Sequence, residues 1–168
     1  MKTNSYFDIG ANLTHESFDK DLITVIEEAK QNNVKKICIT STSIEDTRVS
    51  LKLLENDQNF FITTCGIHPH YADTFEESNI REIKELSEHP SVKAIGETGL
   101  DFNRNYSKKD NQILCFKSQI EVAQDLNLPL FLHQRDAHKD FMNCFNNIDL
   151  KVNACLLYTS PSPRDTAW

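Results

Sequence analysis

The sequence predicts an α/β fold, a parallel (β/α)8 barrel of which about the first five to six βα units are present. Three observations carry this. Short apolar runs alternate with stretches of helical period, no glycine-rich phosphate loop follows the first run, and polar residues gather at the ends of several different runs.

The runs read as strands at 6–12 (YFDIGAN), 35–40 (KKICIT), 60–66 (FFITTCG), 92–97 (VKAIGE) and 129–133 (PLFLH). Each is short, β-branched or aromatic, and bounded by polar residues, as a buried sheet requires. Helical stripes lie between them. Phe18, Leu22, Val25, Ile26 and Ala29 trace one; Ile80, Ile83 and Leu86 trace another; Ile113, Phe116, Ile120, Ala123 and Leu126 trace the longest. Ser107, with Asp110 three residues on, is positioned to cap that longest helix.

Successive βα units imply a parallel sheet with right-handed crossovers. An open doubly wound sheet would place G-x-G-x-x-G after its first strand, whereas DIGANLTHES at 8–17 has a single glycine. A barrel instead brings polar strand ends to one mouth. Asp8 and Asn12 mark the first strand end, His68 and His70 follow the third, Glu97 ends the fourth and His133 the fifth. A full barrel takes about 250 residues. The chain has 168, so residues 1–154 are expected to be the N-terminal portion of such a domain. Residues 155–168, CLLYTSPSPRDTAW, change character abruptly and read as a non-native tail.

Composition narrows the function classes. With 39% hydrophobic and 26% charged residues the chain is an ordinary globular one. Its net charge of −7 excludes a broad basic surface for duplex binding. No apolar run approaches the roughly 18 residues of a membrane span, and MKTNSYFDIG lacks a signal-peptide core. A cytoplasmic location without membrane partners is the expectation. The five cysteines form no C-x-x-C pair and read as reduced, mostly buried thiols.

Acidic side chains are costly to bury unpaired, so Glu97, between Gly96 and Gly99, needs a partner. A divalent cation supplies one, because carboxylate oxygen and imidazole nitrogen together suit Mg, Mn or Zn. HQRDAH at 133–138 adds His133, Arg135 and Asp136 at a strand-to-helix turn, and GIHPH at 66–70 adds two histidines. Pro69 is expected to hold that loop extended, with His68 facing inward and His70 outward.

DIGANLT at 8–14, GIHPH at 66–70, AIGETGLDFNRN at 94–105 and HQRDAH at 133–138 together resemble the TatD family of metal-dependent deoxyribonucleases, within the amidohydrolase-like hydrolases. The resemblance runs in order from about Tyr6 to Ala154. It implies a (β/α)8 (TIM) barrel that hydrolyses phosphodiesters with a divalent metal, Mg2+ first and Mn2+ or Zn2+ as alternatives. The implied substrate is single-stranded DNA or RNA, shortened from the 3′ end. Glu97 matches the family's metal-bridging glutamate and His133 its first downstream histidine ligand. His68 is the catalytic candidate, and Arg104 and Arg135 are candidates to hold phosphate, against the plainer reading of ion pairs to Asp101 or Asp136.

The chain departs from the family pattern twice. Where many relatives carry H-x-H it has Gly10 and Asn12, a set poorer in nitrogen that favours Mg2+. An HCFTG-like histidine and a TDAP-like aspartate have no counterpart. Two rival expectations stand beside the nuclease: a metal-dependent hydrolase of a small amide or lactone, and an inactive, poorly soluble fragment of an enzyme that is monomeric when complete.

Overall fold

The structure is a computed structural model that describes residues 4–55, 57–146 and 148–158; residues 159–168 of the expected tail lie outside it. Strand β1 (Tyr6–Ala11) leads through a 3-10 turn to helix α1 (Leu22–Gln31) and β2 (Val34–Ile39). Helix α2 (Ile44–Leu54), β3 (Phe61–Cys65), a second 3-10 segment (Pro69–Thr74), α3 (Glu77–Ser87) and β4 (Val92–Asp101) follow. The chain continues through α4 (Lys109–Leu126), β5 (Leu130–Arg135), α5 (His138–Asn143) and β6 (Ala154–Tyr158).

All six strands form one sheet in the order β1-β2-β3-β4-β5-β6, and every neighbouring pair is parallel. Sequential order with a helix in each of the five crossovers is the wiring of a (β/α)8 barrel, and it brings the C-terminal ends of the strands together. Strand β6 takes in Cys155 to Tyr158, residues that the sequence reading set in the tail.

The main core lies between the sheet and α3, α4 and α5, where Ile95, Leu100, Leu130 and Leu132 meet Ile83, Phe116, Ile120 and Phe141. Phe116 is fully buried, stacked on Phe141 at 5.1 Å and edge-on to Phe145 at 5.6 Å. A smaller cluster of Leu13, Ile37, Ile39, Leu54, Phe60 and Phe61 fills the space beneath the first strands. Strand β1 is more exposed than a buried run predicts, with Tyr6 at 56% and Phe7 at 50%. Among the described residues it pairs with β2 alone, so one edge has no strand beside it.

Three local expectations need correction. Asp8 is not at a strand end: β1 continues to Ala11, and the Asp8 carboxylate is exposed and accepts from the Gly10 N–H. Ser107 does not cap α4. Its hydroxyl donates to the His70 carbonyl at 2.9 Å and accepts from Asp73 N–H. Asp73 takes the capping role instead, accepting from the Lys108 N–H at 2.9 Å. Finally, β4 does not stop at Glu97; it is a ten-residue strand reaching Asp101. The glycines that suggested a turn serve close strand pairing: Gly96 and Gly99 have φ of 144° and 147°, and a Cβ on them would collide with the carbonyl oxygens of Phe131 and His133 on β5.

Candidate metal centre

Strand alternation sets the site. Glu97 and Asp101 are four residues apart on β4, so both fall on one face, and His133 is drawn beside them because it pairs with Gly99 in the β4–β5 ladder. His68 arrives from the loop after β3, where its backbone N–H bonds the Thr42 carbonyl. His68, Glu97 and His133 each offer a ligand atom within 4.8 Å of the others. Glu97 is 8% exposed and His68 6%. His68, His133 and Asp101 line a cleft of about 1140 Å³ at the strand ends, and Glu97 lies behind that lining, against His133.

The expected outward His70 lines that cleft together with His68. His68, just before Pro69, is extended as expected, but Pro69 starts a 3-10 segment that takes in His70, a position its fixed φ favours, and the two rings meet edge-on at 4.2 Å. His70 Nε2 lies 2.8 Å from Asp101 Oδ2.

His133 stands between two carboxylates, its Nδ1 3.1 Å from Glu97 Oε1 and its Nε2 3.4 Å from Asp101 Oδ2. Of these contacts the first is an aligned hydrogen bond, whereas Nε2 is buried with no hydrogen-bond partner among the described residues. A neutral imidazole has one N–H and one lone pair, so one of its two nitrogens faces a carboxylate oxygen with nothing to share. A proton or a cation resolves that conflict. The donor set therefore fits a divalent ion: it mixes imidazole nitrogen with carboxylate oxygen, and 3.1 Å is close to the roughly 3 Å between adjacent ligands of an octahedral ion.

Burial, reinforced by the neighbouring His133 and His70, pushes the His68 imidazole down to about 2. Its Nδ1 accepts the His70 backbone N–H at 3.2 Å. In the neutral ring the proton is then on Nε2, the atom facing Glu97 at 4.0 Å. By proximity His68 belongs with the ligand cluster; by tautomer it is a hydrogen-bond donor, and the bond that fixes the tautomer is the more direct guide. Burial raises the Asp101 carboxyl, but the Arg104 backbone N–H and His70 outweigh it and hold the group below the usual carboxylate range.

Arg104 and Arg135 line the cleft, and among the described residues neither guanidinium forms an ion pair. Asn12 lines it as well, and Asp136 accepts from the Asn103 side chain. Behind the site, two glutamines of α4 that the sequence reading passed over grip the strand ends. Gln112 accepts from Asp101 N–H and donates to the Ser107 carbonyl, while Gln119 accepts from Ile67 N–H and donates to Thr98 Oγ1. The signal for them was present: two amides seven residues apart beside the apolar stripe of α4. Asp101 was equally legible, as the second acid on the Glu97 face.

A parallel β/α sheet that gathers histidines, buried carboxylates and two arginines at its strand ends defines part of a barrel-type scaffold with a candidate metal site. The chain belongs to the TatD related DNase family, whose model matches residues 7–164. It is 41% identical over 159 residues to a 3′-5′ ssDNA/RNA exonuclease TatD of Musicola paradisiaca, covering 95% of this chain and 60% of the relative. The corresponding exonuclease of Erwinia amylovora is 35% identical, with 89% and 64% covered. A crystal structure of a TatD family hydrolase from Entamoeba histolytica superposes with a TM-score of 0.77 at 28% identity, over 86% of this chain and 55% of that one. The chain thus spans about three fifths of the length of these curated relatives. Among the described residues, no helix is long and apolar enough to cross a membrane.

Proposed function

We propose that this chain is part of a metal-dependent phosphodiesterase that shortens single-stranded DNA or RNA from its 3′ end, working in the cytoplasm on single strands free in solution. The observation that carries the reading is the meeting of His68, Glu97 and His133 at a cleft lined by both histidines and by two arginines with no ion pair among the described residues. Glu97 and His133 hold the divalent cation, with Mg2+ favoured and Mn2+ or Zn2+ as alternatives. The chemistry such an ion supplies is Lewis acidity: it lowers the pKa of water and offsets phosphate charge.

The chain's own groups do the rest. Arg104 and Arg135 bind and orient the phosphate, pairing with its oxygens through planar guanidinium forks. His68, neutral over the working pH range, donates its Nε2–H to an oxygen of the reacting phosphate. Asp101, beneath them, accepts and keeps its neighbours in place. A net charge of −7 repels a nucleic-acid backbone, so a single strand is bound locally, at the arginines and the cation. The segment 155–168 belongs to the same proposal: its change of composition supports a non-native tail, and the genomic sequence downstream of Ala154 tests it.

Two measurements test the reading on the 168-residue chain. Mn2+ is expected to bind at one class of site and to be lost on Glu97→Ala or His133→Ala. End-labelled single-stranded DNA with Mg2+ is expected to shorten from the 3′ end at trace level, because the later histidine and aspartate motifs have no counterpart here. Binding of Mn2+ that survives Glu97→Ala removes the proposed centre. Hydrolysis of a small lactone or amide without any nuclease activity turns the reading to the rival hydrolase.

A further inference from the structure

Asp101 is 1% exposed, yet the ligand cluster of His68, Glu97 and His133 does not include it. A buried carboxylate is kept only where its oxygens are used, and here every contact points inward to the site. Oδ1 accepts the backbone N–H groups of Asn103 and Arg104, each at 3.0 Å. Oδ2 faces two imidazole nitrogens, His70 Nε2 at 2.8 Å and His133 Nε2 at 3.4 Å. The residue's own N–H is held by Gln112 Oε1 at 2.9 Å, so the carboxylate has little room to move.

We propose that Asp101 is a positioning residue that fixes the tautomer of His133 and ties the Arg104 loop to the site, and so sets its affinity for a divalent cation. This rests on the metal-centre reading given above. An ionised carboxylate only accepts, so a ring nitrogen turned to it carries the proton. Both His133 nitrogens face carboxylates, and the aligned hydrogen bond is the one between Nδ1 and Glu97; a cation taken up on that side, where the ligand cluster lies, would replace the proton there and leave Nε2–H to Asp101 Oδ2, 3.4 Å away. Ligating histidines characteristically donate their second N–H to such a carboxylate, and loss of that partner costs about 10–100-fold in metal affinity. The same oxygen orders His70, and the other oxygen folds the turn that aims Arg104 at the cleft.

Asp101→Asn is nearly isosteric. It keeps one oxygen for the two backbone donors and sets an amide NH2 against both ring nitrogens, a donor facing donors, so the histidines must change tautomer. The experiment is Mn2+ titration of wild-type and D101N chains, with 15N NMR of the histidine rings in the Mg2+-loaded wild type. The expected result is a Mn2+ affinity about 10–100-fold weaker in D101N, with His133 protonated on Nε2 in the wild type. A wild type whose His133 carries its proton on Nδ1 overturns the proposal, as does a D101N affinity within twofold of wild type. The NMR measurement needs no variant, so it decides even where D101N does not fold. A wild type that binds no Mn2+ fails earlier, at the metal-centre reading itself.

Discussion

Gly99→Ala probes fold and site at one atom. At an exposed position with ordinary backbone angles, glycine to alanine stabilises a protein by about 0.4–1 kcal/mol, because the unfolded chain loses freedom. Here the sign reverses. Gly99 sits at φ 147°, a region that L side chains rarely adopt and that costs of order 1–3 kcal/mol. Its new Cβ would also meet the backbone carbonyl of His133, the residue paired with it across the β4–β5 ladder. Relief requires the two strands to separate there, at a further cost of about 1 kcal/mol for each ladder bond lost. The expected loss is therefore roughly 2–4 kcal/mol, read as a lower midpoint in urea denaturation, and the separation also pulls His133 from Glu97. Mn2+ titration of the folded fraction should show weakened binding. A G99A chain with an unchanged or raised urea midpoint refutes the reasoning, because the close approach would then have no energetic content.

Phe116→Ala, which empties the aromatic cluster with Phe141 and Phe145, should cost about 3–5 kcal/mol by denaturant unfolding; a loss below about 1 kcal/mol contradicts that packing. In native Ellman titration near pH 8 only Cys155 should react quickly, since Cys38, Cys65, Cys115 and Cys144 are buried and burial pushes the Cys38 and Cys115 thiols up to about 12; fast reaction of two or more thiols before unfolding argues against the burial. In metal-free chain, the His68 pKa is far below its unfolded value of 6.5, so between about 2 and 6.5 the unfolded state binds the extra proton. Stability should then be full above 6.5 and fall as pH drops, with part of the slope lost in His68→Gln; identical pH profiles for the two chains reject it. Arg104→Gln and Arg135→Gln should each weaken single-strand binding and lower the salt dependence by about one counterion; an unchanged salt slope in both sends the phosphate elsewhere.

Much of the fold was legible because apolar runs and helical stripes have unambiguous periods. The stripe from Ile113 to Leu126 lies within α4, and the run 35–40 overlaps β2 to within a residue. What resisted was set by tertiary contacts. The end of β4 was hidden because Gly96 and Gly99 look like turn residues locally, and only the approach of β5 explains them. The cap of α4 was missed because Asp73, thirty-five residues upstream, supplies it while the local candidate, Ser107, bonds elsewhere. At the site, Glu97 and His133 could be singled out by sequence, and the structure brings them together. The place of His70 could not, since it depends on Pro69 starting a 3-10 turn. For Asp101 the reason is simpler: in sequence it reads as a partner for arginine, whereas its side chain faces two imidazoles.

The paired amides of α4 carry one further consequence. Apolar packing resists displacement of a helix in every direction without naming its partners, whereas Gln112 and Gln119 grip specific backbone atoms at two levels, one near Asp101 and the other near Ile67. A shift by a single residue, about 1.5 Å along the axis, would release both grips together. The helix thus acts as a ruler laid against two strand ends, and deletions between its two notches should be tolerated far less well than changes in length beyond Leu126.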